Sequence, residues 1–272
     1  MGVVVIAAAL GEMNDLDVRL GEAAIDEATW TELRPGRWAK WLRVVDEVVA
    51  RSVVADLRSD GVAAVLGPPD DAHAVGWTNR NRPTVINERL TVAFPWGATV
   101  GIDPSTVMEI DPGAGFGTGD HPSTVLMLRE LATRIEGGEA MADIGCGSGV
   151  LAVAATRLGA ARAIGVDINS EGLVAAHRNA ARNGVAEQCE FSTTHVADLG
   201  GSYDVVVANI HAPILAEMAS DLTRLLNLGG WLGLSGMSPA QLSVLRAAFP
   251  GVEFDPPVHL DEWSGLVGRR GL

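Results

Sequence analysis

From Ala140 onward, short apolar runs alternate with longer segments whose apolar residues recur every three or four positions. The runs Ala140–Ile144, Ala163–Val166, Cys189–Ser192, Val205–Ala208 and Trp231–Leu234 predict strands. The intervening segments, near Pro122–Ile135, Val150–Leu158, Glu171–Asn183, Pro213–Leu225 and Pro239–Phe249, predict helices. This alternation predicts a parallel, doubly wound α/β sheet. Val252–Phe254 and Trp263–Gly268 supply two more strands with no helix between them.

Upstream the pattern changes. Gly36 to Ser59 predicts an amphipathic helix, with Trp38, Trp41, Leu42, Val45, Val48, Val49 and Val53 on one side and Arg43, Asp46, Glu47 and Arg51 opposite. Gly67-Pro68-Pro69-Asp70-Asp71 predicts a turn or linker. Short β-type runs follow at Val85-Ile86, Leu90–Phe94, Thr99–Ile102 and Val107–Ile110. Val3–Leu10 has no basic residue before it and meets acids soon after, so a buried strand suits it better than a signal peptide. Five tryptophans (Trp30, Trp38, Trp41, Trp77, Trp96) precede residue 100, which suits a small domain building its core from large side chains better than an aromatic recognition surface or pocket wall. Three stretches result: a smaller α+β N-terminal domain for substrate recognition or as a lid (1–86), a β-rich connection and entry loop (87–120), and an α/β domain (121–272).

Composition narrows the partners. Apolar residues make up 47% of the 272, yet no apolar run approaches the ~20 residues of a membrane span. A net charge of −14 disfavours nucleic acid; it suits a basic partner and suits simple solubility equally. Cys146 and Cys189 read as thiols of a cytoplasmic protein, and six scattered histidines give a metal site little support.

Candidate chemistry centres on Asp143-Ile144-Gly145-Cys146-Gly147-Ser148-Gly149, between a predicted strand and a predicted helix. Glycines turn the backbone sharply and let a ligand approach it, and the helix start offers unpaired N–H groups. Asp167, at the end of the next strand, is positioned to accept ribose hydroxyls. The spacing is G-x-G-x-G, not the dinucleotide G-x-G-x-x-G, and Asp143 would repel a pyrophosphate but attract the ammonium end of S-adenosylmethionine. The loop alone leaves both cofactors open.

Two further segments favour the methyl donor. One is Asp111-Pro112-Gly113-Ala114-Gly115-Phe116-Gly117-Thr118-Gly119-Asp120-His121-Pro122-Ser123-Thr124; the other is Val205-Val206-Val207-Ala208-Asn209-Ile210-His211-Ala212-Pro213. With these, and with Gly229–Gly236 and Glu262-Trp263, the chain from near Asn87 to Arg270 resembles the PrmA family, bacterial methyltransferases that modify a large-subunit ribosomal protein. The resemblance implies a Rossmann-like class I S-adenosylmethionine-dependent methyltransferase sheet whose terminal hairpin makes the last strand antiparallel. It implies transfer to an amino group, with S-adenosylhomocysteine as product. Residues 1 to about 86 do not align with the family's N-terminal pattern, so a basic ribosomal protein and a small amine or amino-acid-like metabolite both stay open as acceptor. A non-catalytic S-adenosylmethionine-binding protein is a remoter alternative.

An amine acceptor with a pKa near ~10.4 must arrive neutral before it can attack. Asn209, at the carboxyl end of a predicted parallel strand, and the Ile210 carbonyl are candidates to orient its lone pair, by position and by the resemblance. Asn209 also suits a helix cap. His121 is a candidate base, although a histidine before proline at a helix start also suits a structural role. Phe116 is a candidate shield for the methyl donor, and Thr118, Ser123 and Thr124 candidate contacts to its methionine end or to the acceptor; local turn bonding suits them too. The expected cofactor contacts are Asp143, Gly145, Cys146, Gly147, Gly149, Asp167, Ile168, Asn169, Asp198 and Asn209 together with Phe116, Thr118 and Thr124.

Overall fold

A computed structural model describes residues 3–10, 31–34, 37–44, 47–59, 63–67, 82–95, 97, 99–111 and 117–271. It divides into two units, residues 1–84 with 93–107, and residues 85–92 with 108–272.

In the first unit, strands β1 (Val3–Leu10), β2 (Thr31–Arg34), β3 (Arg37–Val44) and β4 (Ala63–Gly67) form a sheet in the order β2-β3-β1-β4. The expected helix from Gly36 to Ser59 is therefore corrected: its first half is β3, and only Glu47–Ser59 is helix (α1). All eight residues of β3 pair antiparallel with β1, and this long-range ladder overrides the local helical spacing. The buried stripe of α1 is Ala50, Val54 and Leu57, while Val48 and Val49 are exposed. Trp30, Trp77, Trp96 and the residues after Gly67 in the expected turn lie outside the described residues.

Strands β5 (Thr84–Asn87), β6 (Leu90–Ala93) and β7 (Val107–Glu109) form a small sheet in sequence order. Thr99–Ile102, expected as a strand, is a turn in which Ile102 N–H donates to the Thr99 carbonyl, and Gly101 takes the positive φ that the reversal needs.

The second unit is built on β8 (Ala140–Ile144), β9 (Arg162–Val166), β10 (Cys189–Ser192), β11 (Tyr203–Asn209), β12 (Leu226–Met237), β13 (Val252–Phe254), β14 (Val258–Leu260) and β15 (Trp263–Arg270). The sheet order is β10-β9-β8-β11-β12-β15-β13, with β14 paired to β15. The first five strands are parallel, and β15 runs antiparallel between β12 and β13. Helices α2 (Pro122–Arg134), α3 (Val150–Leu158) and α4 (Ser170–Arg182) pack with Met141, Val205, Val207 and Trp231 on one face. Helices α5 (Ala212–Glu217), α6 (Ala219–Leu225) and α7 (Leu242–Ala248) pack with Ala142, Ile144, Val206 and Leu232 on the other. Strands covered on both sides become continuous apolar runs, as Val205–Ala208 is. The helix expected over Pro213–Leu225 is two, broken at Met218, where φ −87° and ψ 3° depart from helical values.

Candidate active site

The strand order runs outward through β9 and β10 on one side of β8 and through β11 and β12 on the other. In such sheets the crevice beyond the carboxyl ends of the two diverging strands is where ligands bind. Here those ends are Ile144, leading into the glycine loop, and Asn209. A cavity of about 380 Å³ opens at this place, within the size range of small-ligand sites.

One wall is the glycine loop. Gly145 and Cys146 N–H groups donate to the Val166 carbonyl at 2.8 and 3.1 Å, tying the loop to the end of β9. The next residue, Asp167, accepts Gly147 N–H on Oδ2 and Asn169 N–H on Oδ1, both at 2.8 Å. Asn169 in turn caps α4 by accepting from Glu171 N–H at 3.0 Å. Gly145, Gly147, Asp167, Asn169 and Gly172 all line the cavity. Ile168 is 91% exposed beside them, an apolar side chain with little protein cover.

The opposite wall is the turn after β11. Ile210 is wedged between two glycines. A Cβ on Gly145 (φ +74°) would lie 2.6 Å from Ile210 Cγ2, and one on Gly236 (φ +90°) would lie 2.6 Å from the Ile210 carbonyl oxygen. Asn209 Nδ2 donates to the hydroxyl of fully buried Thr124 at 3.1 Å. Its Oδ1 is buried and has no hydrogen-bond partner. An unsatisfied buried acceptor is costly, and on a cavity wall it marks where a donor belongs.

His121 caps α2: its Nδ1 accepts from Ser123 N–H at 3.3 Å and lies 2.8 Å from Ser123 Oγ. A neutral ring accepting at Nδ1 carries its proton on Nε2, an arrangement that suits a donor better than a base. The ring packs edge-on against Trp263, centroids 4.9 Å apart, and both line the cavity. The start of α2 is held to β12 by Ser235 Oγ, which donates to the Ser123 carbonyl at 2.9 Å.

Several other expected contacts stand behind or beside this cavity. Asp143 is buried beneath the loop and accepts from Ala152 N–H at 3.1 Å. Burial first, and the charge of Asp167 as well, push its carboxyl up to about 7 against the lowering effect of that hydrogen bond. Cys146 is buried, and burial with the charges of Asp143 and Asp167 pushes its thiol far above the usual range, so it is no nucleophile. Gly149 is a packing glycine, since a Cβ there would sit 2.9 Å from Ala176 and 3.0 Å from Phe191. The Thr118 hydroxyl donates to the Asp120 carboxylate. Asp198 is exposed on a 3-10 turn, Val196–Asp198, and is not part of the cavity wall. Phe116 lies outside the described residues.

His211, Ile214, Gly236 and Trp263 also line the cavity and were not among the expected site residues. Trp263 had a legible signal. A last strand antiparallel to its neighbours begins at the edge where the parallel strands end, so its first residue faces the site.

The donor set distinguishes between the two candidate cofactors. The described wall contains one carboxylate, Asp167, and no lysine or arginine. That suits a ligand carrying positive charge and not a pyrophosphate. An acid with spare lone pairs next to an exposed Ile168 suits a ribose and a flat base, and the orphaned Asn209 oxygen suits an amino group.

The sheet order, the glycine loop and the acid at the end of β9 define a class I S-adenosylmethionine-dependent methyltransferase domain. A solved methyltransferase from Pyrococcus furiosus shares this fold (TM-score 0.50, 19% identity, 58% of this chain and 86% of that one). The family model of ribosomal protein L11 methyltransferase (PrmA) matches residues 62–271, and the chain belongs to that family. A ribosomal protein L11 methyltransferase of Klebsiella pneumoniae is 41% identical over 195 residues, 71% of this chain and 66% of that protein. One from Pectobacterium atrosepticum matches 196 residues equally well. The match thus spans just under two thirds of these relatives' length. A ribosomal protein L11 methylase structure from Lactobacillus delbrueckii subsp. bulgaricus is 30% identical, with a TM-score of 0.65 over 70% of this chain and 100% of that one.

Proposed function

We propose that this chain transfers methyl groups from S-adenosylmethionine to amino groups of a protein, with ribosomal protein L11, met in the cytoplasm, as the acceptor its relatives' names suggest. The observation that carries the reading is the buried, unpartnered Oδ1 of Asn209, a residue whose Nδ2 bonds Thr124 and which lines the same cavity as the glycine loop.

When bound, S-adenosylmethionine supplies a methyl group already activated by a positive sulfur. Gly145, Gly147, Asp167, Ile168 and Asn169 are the residues that would hold it. The remaining work of the chain is alignment and exclusion of water. Asn209 Oδ1 and the Ile210 carbonyl accept hydrogen bonds from the acceptor N–H groups, which points the nitrogen lone pair away from them. The same two acceptors stabilise the cation that develops on nitrogen. Trp263 and Ile214 give the wall apolar cover, which favours the neutral amine over the ammonium. The acceptor's proton leaves to solvent, and His121, with Nδ1 engaged by Ser123, acts as part of the wall.

The acceptor can also be a small amine, because the family match begins at residue 62 and leaves the preceding residues without a counterpart in it. Labelled methyl transfer to purified L11, run beside a lysate split into protein and low-mass pools, separates the readings. Label in L11 supports the protein acceptor. Label confined to the low-mass pool replaces it with a metabolite acceptor, and label in neither pool refutes the transferase.

A further inference from the structure

We infer that Ser148 and Asn179, neither of which lines the cavity, are positioning residues that tie Asp111 and Gly117 to the glycine loop and so set the affinity for S-adenosylmethionine. The inference rests on the cofactor reading above.

The glycine loop is gripped on two sides. Asp167 takes the Gly147 N–H, as described, while the Ser148 carbonyl accepts from Asn179 Nδ2 at 2.9 Å. The Gly147-Ser148 pair is therefore held at its amino end by Asp167 and at its carboxyl end by Asn179, with Gly147 left-handed at φ +50°. The Asn179 side chain is fully buried in α4 and does more than hold the loop. Its Oδ1 accepts from Asp111 N–H, and its Nδ2 also donates to the Asp111 carbonyl, each at 2.9 Å. One turn later Asn183 repeats the pattern on Glu109, accepting its N–H at 2.9 Å and donating to its carbonyl at 2.7 Å. Residues 109 and 111 are alternate positions of one extended stretch, so the two amides bond the side of β7 as a neighbouring strand would.

Ser148 completes the link. Its hydroxyl, buried, donates to the Gly117 carbonyl at 2.6 Å. Gly117 comes so close that a Cβ there would lie 2.6 Å from Ser148 Oγ. Ser148 thus holds Gly117 through its side chain, while its carbonyl shares Asn179 with Asp111. Both flanks of residues 112–116 are registered on the loop peptide next to Gly147. Simple core filling would be served as well by an apolar side chain of the same size, whereas this arrangement uses every donor that the asparagine has.

The test is equilibrium binding of S-adenosylmethionine by calorimetry, well below the melting temperature, to the full chain and to Ser148→Ala, Asn179→Asp and the double variant. Asn179→Asp keeps the acceptor for Asp111 N–H and loses both donations. Each single variant is expected to weaken binding about three- to tenfold, in line with one or two lost hydrogen bonds. The double variant should be no more than about twofold worse than the weaker single one, because both act on one unit. A purely structural role would lower the melting temperature and leave affinity alone. The inference is overturned if folded Ser148→Ala binds within twofold of the unaltered chain, and this variant decides by itself should Asn179→Asp not fold. If the unaltered chain binds no S-adenosylmethionine, the cofactor reading falls and takes this inference with it.

Discussion

Replacing Asp143 by asparagine should stabilise the ligand-free protein above neutral pH and destabilise it in mild acid. The carboxyl is buried and raised from an ordinary 3.8 to about 7. Between those values the native state keeps a proton that the unfolded chain has lost, so the group's stabilising contribution is full below about pH 4 and is lost as pH rises through about 7. Above pH 7 the folded protein carries an ionised buried acid, at a cost with a ceiling of about 4 kcal/mol for a rise of this size. Asparagine removes that charge and keeps an oxygen for Ala152 N–H, but it buries an NH2 group without a partner, costing about 1–3 kcal/mol. The net gain at pH 8 is about 2 kcal/mol, a rise in melting temperature of about 4–8 °C for a unit of this size. Near pH 4 the native Asp143 is neutral and the unfolded carboxyl has only begun to ionise, so the amide's cost outweighs what ionisation has removed and the variant should melt lower. Thermal melts of both proteins at pH 4 and pH 8 decide it. A difference that keeps the same sign and size at both values refutes the argument that burial of this carboxylate governs stability.

Asp167→Ala and Asn209→Ala should separate binding from chemistry. Loss of the Asp167 carboxylate, with its bond to Gly147 N–H, should weaken S-adenosylmethionine about 10- to 100-fold. Asn209→Ala should leave binding within a few fold and cut turnover about a hundredfold; calorimetry and labelled-methyl assays on the same preparations would expose equal effects on both as an error in the roles. Gly236→Ala puts a Cβ 2.6 Å from the Ile210 oxygen at φ +90°, so left-handed strain and overpacking together should cost about 2–5 kcal/mol. A Gly236→Ala protein with unchanged melting temperature and turnover would show that the Ile210 turn is not held as described.

The central sheet was legible because β8, β9 and β11 contribute residues to the cores on both faces and so become apolar runs separated by helical spacing. The N-terminal unit was less so, since Arg37–Val44 has residues that fit either period and only its ladder with Val3–Leu10 selects the strand. β14 was missed because Asp255-Pro256-Pro257 gives no alternation before a three-residue strand. In the site, residues at strand ends were readable from topology: Asp167 and Asn209 both line the cavity. What local sequence could not convey was depth. Asp143, Cys146 and Gly149 share the loop's motif with Gly145 and Gly147, yet the first three are buried while the other two reach the cavity. Trp263 lies 54 positions from Asn209 in a different pattern, and only the antiparallel return of β15 brings it to the same wall.

Three adjacent strands meet at one side chain, and this bears on how the two halves of the site communicate. In the ladder Ala208 stands beside Ile144 and Asn209 beside Ser235, so the ends of β8 and β11 and the last residues of β12 lie side by side. Gly145 and Gly236 are the next residues of the outer two, and Ile210 is the next residue of the middle one. Either glycine, given a Cβ, would strike Ile210 at 2.6 Å, on its side chain from one direction and on its carbonyl from the other. The glycine loop and the Asn209 turn therefore share one contact with no free volume. A displacement of the loop must move the Ile210 carbonyl, because close-packed interiors transmit small shifts and do not absorb them. On the proposed reading that carbonyl faces the acceptor amine, so occupancy of the loop and alignment of the amine are set by the same packing. Substitutions at either glycine should then alter cofactor affinity and turnover together, unlike Asn209→Ala, which acts on one of them.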